Sequence, residues 1–160
     1  MNPKYRKIQK SDYWFLRDIL YEALFIPAGE KPCARSIIDF PELSKYIDHW
    51  GRDGDCGIIV HDEEVLIGAV WARLFKEKNK GYGFVDIQTP ELIMALKSKY
   101  RNRGLGTQLL KNFLKLVKES GFKAVSLSVD KRNRAFKFYK RNGFKIVDEL
   151  ETAYTMKIDL

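Results

Sequence analysis

The stretch Tyr100-Arg101-Asn102-Arg103-Gly104-Leu105-Gly106-Thr107 lies between an apolar run, Leu92 to Leu96, and a helically periodic segment that ends near Gly121. Two arginines, two glycines one residue apart and a helix start form one chemical unit. The first N–H groups of a helix have no intrahelical partner, and the helix dipole adds about half a positive charge at that end. Glycines at 104 and 106 let a ligand approach the main chain closely. The unit predicts a phosphate site, suited to a diphosphate, with Arg101 and Arg103 beside it.

Two other phosphate loops fail on spacing. A Walker A loop needs G-x-x-x-x-G-K-[ST], which the chain lacks, and a dinucleotide fingerprint needs a third small residue where Leu109 stands. Charge points the same way as the loop. Residues 97–141 carry 14 Lys/Arg against Glu119 and Asp130, a local net charge of +12, while the remainder is mildly acidic and the whole chain is +8. Such an imbalance suits a polyanionic ligand held at one end.

At 160 residues and 45% hydrophobic content, the chain reads as a single domain, 1–160, with a proper core. No run of 18 apolar residues is present, which argues against a membrane-spanning helix. The opening residues Met1 to Arg6 carry no apolar leader, and Cys33 and Cys56 form no C-x-x-C motif. Two reduced thiols in a cytoplasmic protein are the expectation. No His/Cys/Asp cluster has metal-ligand spacing, so no metal is expected.

Taken in order, residues 4–9 read as a short strand. Ser11 or Asp12 is placed to cap a helix with Phe15, Leu16, Ile19, Leu20, Ala23 and Leu24 on one face. A second helix should start at Pro41 and carry Leu43, Tyr46, Ile47 and Trp50 as far as Gly51. Cys56 to Val60 and Val65 to Phe75 form a β-hairpin through the turn at 61–64. Phe84 to Ile87 is expected to extend towards the strand Glu91 to Leu96. The helix after the glycine loop buries Leu105, Leu109, Leu110, Phe113 and Val117 and is capped by Gly121. A strand at 124–129, a basic helix at 134–142 and two closing strands at 144–147 and 154–158 follow. The order β-α-α-β-β-β-α-β-α-β-β predicts an α/β (α+β) fold: a mixed, mostly antiparallel sheet with helices on both faces and one parallel crossover.

Here a resemblance becomes specific. Arg101-x-x-Gly104-x-Gly106 resembles the R/Q-x-x-G-x-G/A signature of the GNAT superfamily of acyl-CoA-dependent N-acetyltransferases. Asn133-Arg134-Ala135-Phe136-Lys137-Phe138-Tyr139-Lys140-Arg141-Asn142-Gly143-Phe144 is similar to that family's N-x-A-x-x-x-Y-x-x-x-G-F segment. Pro90 to Leu96 resembles the strand that precedes the loop. The match is close over residues 84–147.

The resemblance implies an acetyltransferase that uses acetyl-CoA as cosubstrate. The main chain of Leu96 and Ser98 would pair with the pantetheine arm. Arg101, Asn102, Arg103, Gly104, Leu105, Gly106 and Thr107 would hold the diphosphate, with Asn133 also at the cofactor. It further implies a β-bulge that splays the strand 91–97 from the strand 124–129, opening a V between them. Lys97, Lys99, Lys131, Arg132 and Arg134 are candidates for a further CoA phosphate. Tyr139 matches the family's tyrosine that protonates the leaving sulfur, and Glu91 stands where members place a carboxylate base. His49 and His61 lie outside the motifs, and a Cys56–His61 pair is set aside because their parity points them to opposite strand faces.

The acceptor is an amine on an unidentified small molecule, peptide or protein. Residues 21–50 and the hairpin loops should supply its site, with Tyr21, Phe25, Tyr46, Trp50 and Trp71 as lining and Asp48, Asp53 or Asp55 to attract it. Competing readings are a non-catalytic CoA-binding module and a basic nucleic-acid binder. Against nucleic acid, Phe113, Phe136 and Phe138 fall at core positions rather than on an exposed stacking platform. A homodimer is left open.

Overall fold

The computed structural model describes residues 1–160. The elements are β1 (Lys4–Lys7), α1 (Tyr13–Glu22), α2 (Pro41–Ser44), β2 (Cys56–Asp62), β3 (Val65–Arg73), β4 (Glu91–Leu96), α3 (Leu105–Glu119), β5 (Ala124–Asp130), α4 (Ala135–Arg141), β6 (Lys145–Glu149) and β7 (Ala153–Asp159). The order is the one the periodicities predict. All seven strands join one sheet in the order β1-β2-β3-β4-β5-β7-β6. Every neighbouring pair is antiparallel except β4 and β5. No helix is long and apolar enough to cross a membrane.

Strand alternation divides the core into two layers. On one face, Ile58, Val60, Val70, Leu92, Leu127 and Val129 pack under α3 and α4. On the other, Ile59, Ala69 and Trp71 pack under α1 and the segment after α2. The stripe on α3 is buried as its spacing requires, with Leu109, Leu110, Phe113 and Val117 at 0% exposure. Each such side chain contributes about 1.5–3 kcal/mol by leaving water. Gly121, at φ +93°, ends the helix in the left-handed region.

Three expectations about local structure need correction. Asp12 precedes α1, but its carboxylate turns back to the Gln9 N–H at 2.8 Å and to the Arg6 guanidinium at 2.7 Å, so it does not cap the helix. The second helix stops at Ser44 instead of running to Trp50. Tertiary donors take its carbonyls: Trp71 Nε1 donates to Tyr46 O at 2.9 Å, and Arg73 donates to Lys45 O and Asp48 O at 3.0 and 2.6 Å. His49, at φ 53°, then leaves helical space. The expected burial nonetheless holds for Tyr46, Ile47 and Trp50. Phe84 to Ile87 forms no strand: Phe84 N–H closes a turn on Gly81 O, and the flanking Gly83 and Gln88 N–H groups donate to the Glu91 and Asp86 carboxylates.

Arg73 anchors this region. Its guanidinium and the Asp55 carboxylate form a two-bond pair at 2.9 and 2.7 Å, with side chains 1% and 2% exposed. With both carbonyl contacts added, four hydrogen bonds compensate the buried cation. Removing one partner of such a pair strands a charge in the interior. Asp55→Ala should therefore lower stability by about 3–5 kcal/mol, read as the urea unfolding midpoint at unchanged m-value.

Candidate active site

The glycine loop leaves a run of main-chain donors without acceptors. A 3-10 turn at Ser98–Tyr100 uses the N–H groups of Tyr100 and Arg101, which donate to Lys97 O and Ser98 O, and Gln108 N–H donates to Gly104 O. Between them, the six N–H groups of Asn102 to Thr107 bond to nothing within the chain. Asn102 at φ 60° and Gly104 at φ 79° alternate with ordinary residues, a pattern that gathers successive N–H groups into an anion-binding concavity. A Cβ at Gly104 would meet no atom within 4 Å, so the space above it is open. At Gly106 a Cβ would make ordinary contacts with Met94 and Phe138, so the fold's own packing does not demand glycine there.

The cations are placed differently from a simple halo around this cradle. Arg101 Nε donates to Leu96 O at 2.9 Å and its Nη2 reaches Glu22 Oε2 at 3.1 Å, tying the end of β4 to the end of α1. Its guanidinium is thus already engaged, while Arg103 is exposed beside the loop. Lys131 pairs with Glu149 and Arg132 with Asp130. Lys97, Lys99 and Arg134 have no carboxylate partner.

The strand leading into the loop is open on one side. β4 pairs with β3 without interruption from Arg73↔Glu91 to Gly68↔Leu96, whereas β5 meets it only at Glu91↔Ser126. Two bonds locate the free groups. Lys97 N–H donates to Ile67 O, so alternate residues from Glu91 to Lys97 face β3, and Ser126 N–H donates to Pro90 O on the other side. By alternation, the main-chain groups of Leu92, Met94 and Leu96 point towards β5; the Glu91↔Ser126 bridge takes up the Leu92 N–H, and the Leu92 carbonyl and the groups of Met94 and Leu96 face the gap. Leu96 O is occupied by Arg101, and Ser98 lies in the 3-10 turn. Leu92 and Met94 escaped the sequence reading, although stepping back by twos from Leu96 finds them.

The V is present without the expected β-bulge, since no register shift separates β3 from β4. The two strands part because each is held elsewhere: β4 by β3, and β5 by β7 along its whole length from Ala124 to Asp130. The Gly83 backbone lies so close to β5 that a Cβ there would fall 2.4 Å from the Leu127 carbonyl carbon.

On the α1 side of the gap stands Glu91, 2% exposed. The side chain is shielded from water although it stands at the strand start. Its Oε1 accepts the Tyr46 hydroxyl and, at 2.8 Å, the Gly83 N–H. The Tyr46 hydroxyl oxygen accepts the Tyr82 N–H at 2.8 Å. Burial raises the Glu91 pKa above the ordinary carboxylate value, opposed by the bonds from Tyr46 and Gly83 and by the nearby Lys45 charge.

Glu91 forms part of the wall of a cavity of about 200 Å³, with Leu24, Phe25, Leu43, Tyr46 and Tyr82 around it. Of the aromatics expected there, Phe25 and Tyr46 line it. Tyr21 bonds to Cys33 O instead, and Trp50 and Trp71 pack edge-to-face within the core. Asp55 is consumed by Arg73, and Asp53 is exposed. Tyr82 was missed because it sits in a charged, glycine-containing loop with no periodicity. His49 is exposed and His61 Nδ1 bonds to Glu63 O. Both cysteines are free thiols, and burial pushes the Cys56 thiol up to about 11, against nucleophilic use.

Tyr139 belongs to the opposite layer. It is 8% exposed and packs edge-to-face on Phe138 and Phe144 at 5.3 and 5.5 Å, while Phe136 stacks on Tyr154. Burial raises its phenol pKa above the ordinary value. Asn133 Oδ1 accepts the Ala135 N–H at 2.9 Å, which starts α4, and the residue also borders the cavity. Glu91 and Tyr139 thus lie on opposite faces of the sheet.

Comparison with known proteins agrees with this geometry. The family model described as the acetyltransferase (GNAT) family matches residues 15–144. The probable N-acetyltransferase san of Drosophila melanogaster is 27% identical over 103 residues, which is 63% of this chain and 53% of that protein, so the chain spans about half of that relative. Among solved structures, the PaiA N-acetyltransferase of Thermoplasma acidophilum in complex with coenzyme A superposes with a TM-score of 0.68 at 20% identity, covering 100% of both chains. The GNAT domain of S. lividans PAT gives 0.71 at 15% identity over 99% of this chain and 90% of that one. At such identities the superpositions establish the fold. With 130 consecutive residues inside the family model, on the fold of solved members, the chain belongs to the GNAT acetyltransferase family.

Proposed function

We propose that the protein moves an acetyl group directly from acetyl-CoA to a primary amine of a small molecule, peptide or protein. The observation that carries this reading is the open edge of β4 running into six unpaired N–H groups. A main-chain slot followed by an anion cradle suits a long ligand with an amide-bearing arm and a diphosphate. In this reading the N–H groups of Asn102 to Thr107 hold the diphosphate. The free groups of Leu92, Met94 and Leu96 pair with the arm as an added strand. Arg101 serves by bracing Leu96 and α1, and Arg103 and Lys99 supply unpaired positive charge.

The reaction forms a C–N bond and breaks the thioester C–S bond. One proton leaves the amine and one reaches the sulfur. Glu91 is the base: its burial favours the neutral acid, so its conjugate carboxylate is a stronger base than an exposed glutamate. A free N–H of β4 facing the gap is placed to hold the developing oxyanion. Tyr139 is the acid, kept protonated across the working range by its own burial. The same dry surroundings raise the basicity of a leaving thiolate, which narrows the gap between donor and acceptor. With donor arm and acceptor entering from different faces, both proton-transfer groups reach a single carbonyl. Two free thiols fit a reducing, cytoplasmic setting.

Three measurements test the assignment. Gly104→Ala places a Cβ on a left-handed residue and into the open space of the cradle, so calorimetry should show acetyl-CoA binding weakened about tenfold or more, equal to about 1.4 kcal/mol. Unchanged affinity would remove the cradle from the reading. Tyr139→Phe keeps the edge-to-face contacts and should lower kcat roughly 10- to 1000-fold while the melting temperature holds. Near-normal turnover would take Tyr139 out of the chemistry.

The pH profile tests Glu91. Burial favours the protonated, inactive form, so a more alkaline solution is needed to ionise it. The acid limb of kcat/KM should therefore lie above the ordinary carboxylate range. Glu91→Gln should abolish that limb and lower kcat roughly 100-fold; an identical profile in the variant would sink the assignment.

A further inference from the structure

The cavity beside Glu91 has a mainly apolar wall that includes Leu20, Leu24, Phe25, Leu43 and Ile93, and its volume is about 200 Å³. An apolar cavity of about 150 Å³ is large enough to take benzene. The space therefore suits one aliphatic or aromatic side group carried next to the reacting amine. Charge selects further among such amines. The wall contains two carboxylates, Glu91 and Asp130. Glu91 is the proposed base, and both oxygens of Asp130 accept bonds from the Arg132 guanidinium at 3.1 and 3.0 Å. Neither is free to pair with a second ammonium group.

Two wall aromatics instead carry cations on their faces. Arg132 lies 5.7 Å from the centre of the Phe25 ring, and Lys45 lies 6.0 Å from that of Tyr82. Tyr82 lines the cavity and is also 57% exposed, so Lys45 stands at the mouth. The lysine is held in place: Arg73 donates to its carbonyl oxygen, its ammonium donates to Lys80 O, and it also lies 5.8 Å from the Phe75 ring centre. Unlike Arg132, it has no carboxylate partner. Its charge reaches Glu91, whose ionised form it favours. The mouth thus presents one unneutralised cation close to the base.

We propose that the acceptor is a free amino acid with a hydrophobic side chain: the side chain fills the cavity, the amine faces Glu91 and the carboxylate pairs with Lys45. An α-amino acid carries these three groups on one carbon, and the apolar wall, the base and the cation converge in the same way on this cavity. Lys45 is then a specificity residue that takes no part in the proton transfers. A polyamine offers Lys45 no anion and brings further positive charge to a wall without a free acid. The proposal rests on the acetyl-transfer reading with Glu91 at the reacting end. The products are the N-acetylated amino acid and CoA, formed by the same exchange of bonds and protons.

The test assays CoA-thiol release by the full chain with glycine, leucine, leucinamide and spermidine. From glycine to leucine, kcat/KM should rise about tenfold or more, because only leucine fills the apolar wall. The KM for leucine should lie about tenfold below those for leucinamide and spermidine, the loss expected when a charge-assisted bond is removed. Lys45→Met keeps an aliphatic chain over Phe75 and Tyr82 and should erase the preference for leucine over leucinamide, while Lys45→Arg should retain it. Comparing two amines on one enzyme cancels the effect of Lys45 on Glu91. A flat series from glycine to leucine, spermidine or leucinamide equal to leucine, or a preference that survives in Lys45→Met would each overturn the proposal. Thiol release with none of the amines would count against the transfer reading, and calorimetry of leucine on the chain saturated with CoA then reads the site by itself. Binding that weakens about tenfold in Lys45→Met supports the site; no binding to the wild type overturns it.

Discussion

Main-chain N–H and C=O groups need partners wherever water is kept away, and the structure depends on where that requirement is left unmet. β4 sits at the centre of a seven-stranded sheet, yet beyond Glu91 it is paired on one side only. Its free edge continues into six N–H groups of the glycine loop that also lack acceptors. A sheet that closed this gap would satisfy itself and bind nothing. The surrounding contacts keep it open: full pairing of β5 with β7, the Arg101 brace from Leu96 to Glu22, and the close packing of Gly83 on Leu127.

The same gap explains why the proton-transfer candidates sit where they do. Strand alternation sends Glu91 into the layer under α1, while α4 carries Tyr139 into the layer under α3. In an intact sheet these groups would be separated by a wall of backbone. In the proposed mechanism they serve one carbonyl from the two sides of the diverging strands. Both are shifted in the same physical way: burial disfavours their charged forms, which makes the carboxylate a better base and keeps the phenol a proton donor.

Burial of Glu91 is made tolerable by groups far away in sequence. Tyr46 reaches it from the turn after α2, and that turn is held by Trp71 and Arg73 on β3. The buried Arg73–Asp55 pair therefore does more than hold a loop. It shapes the segment that aims Tyr46 at the carboxylate. The helix expected to run to Trp50 gives up its carbonyls to this arrangement, a case of tertiary hydrogen bonds overriding local periodicity.

The sequence by itself determined the element order, the buried stripes of α1 and α3, and the location of the glycine loop at the start of α3. Each of these rests on short-range regularities: the 3.6-residue and two-residue periods, the left-handed tolerance of glycine, and the donor-rich start of a helix. The pairing of Arg101 with Glu22, the stop at Ser44 and the loss of the strand at 84–87 were decided only in three dimensions. So were the role of Tyr82, the unpaired edge at Leu92 and Met94, and the placement of Lys45 over Tyr82 with no carboxylate partner. The physical reason is common to all of them. Whether a polar group is satisfied depends on partners brought close by folding, and no local pattern in the chain records who those partners are.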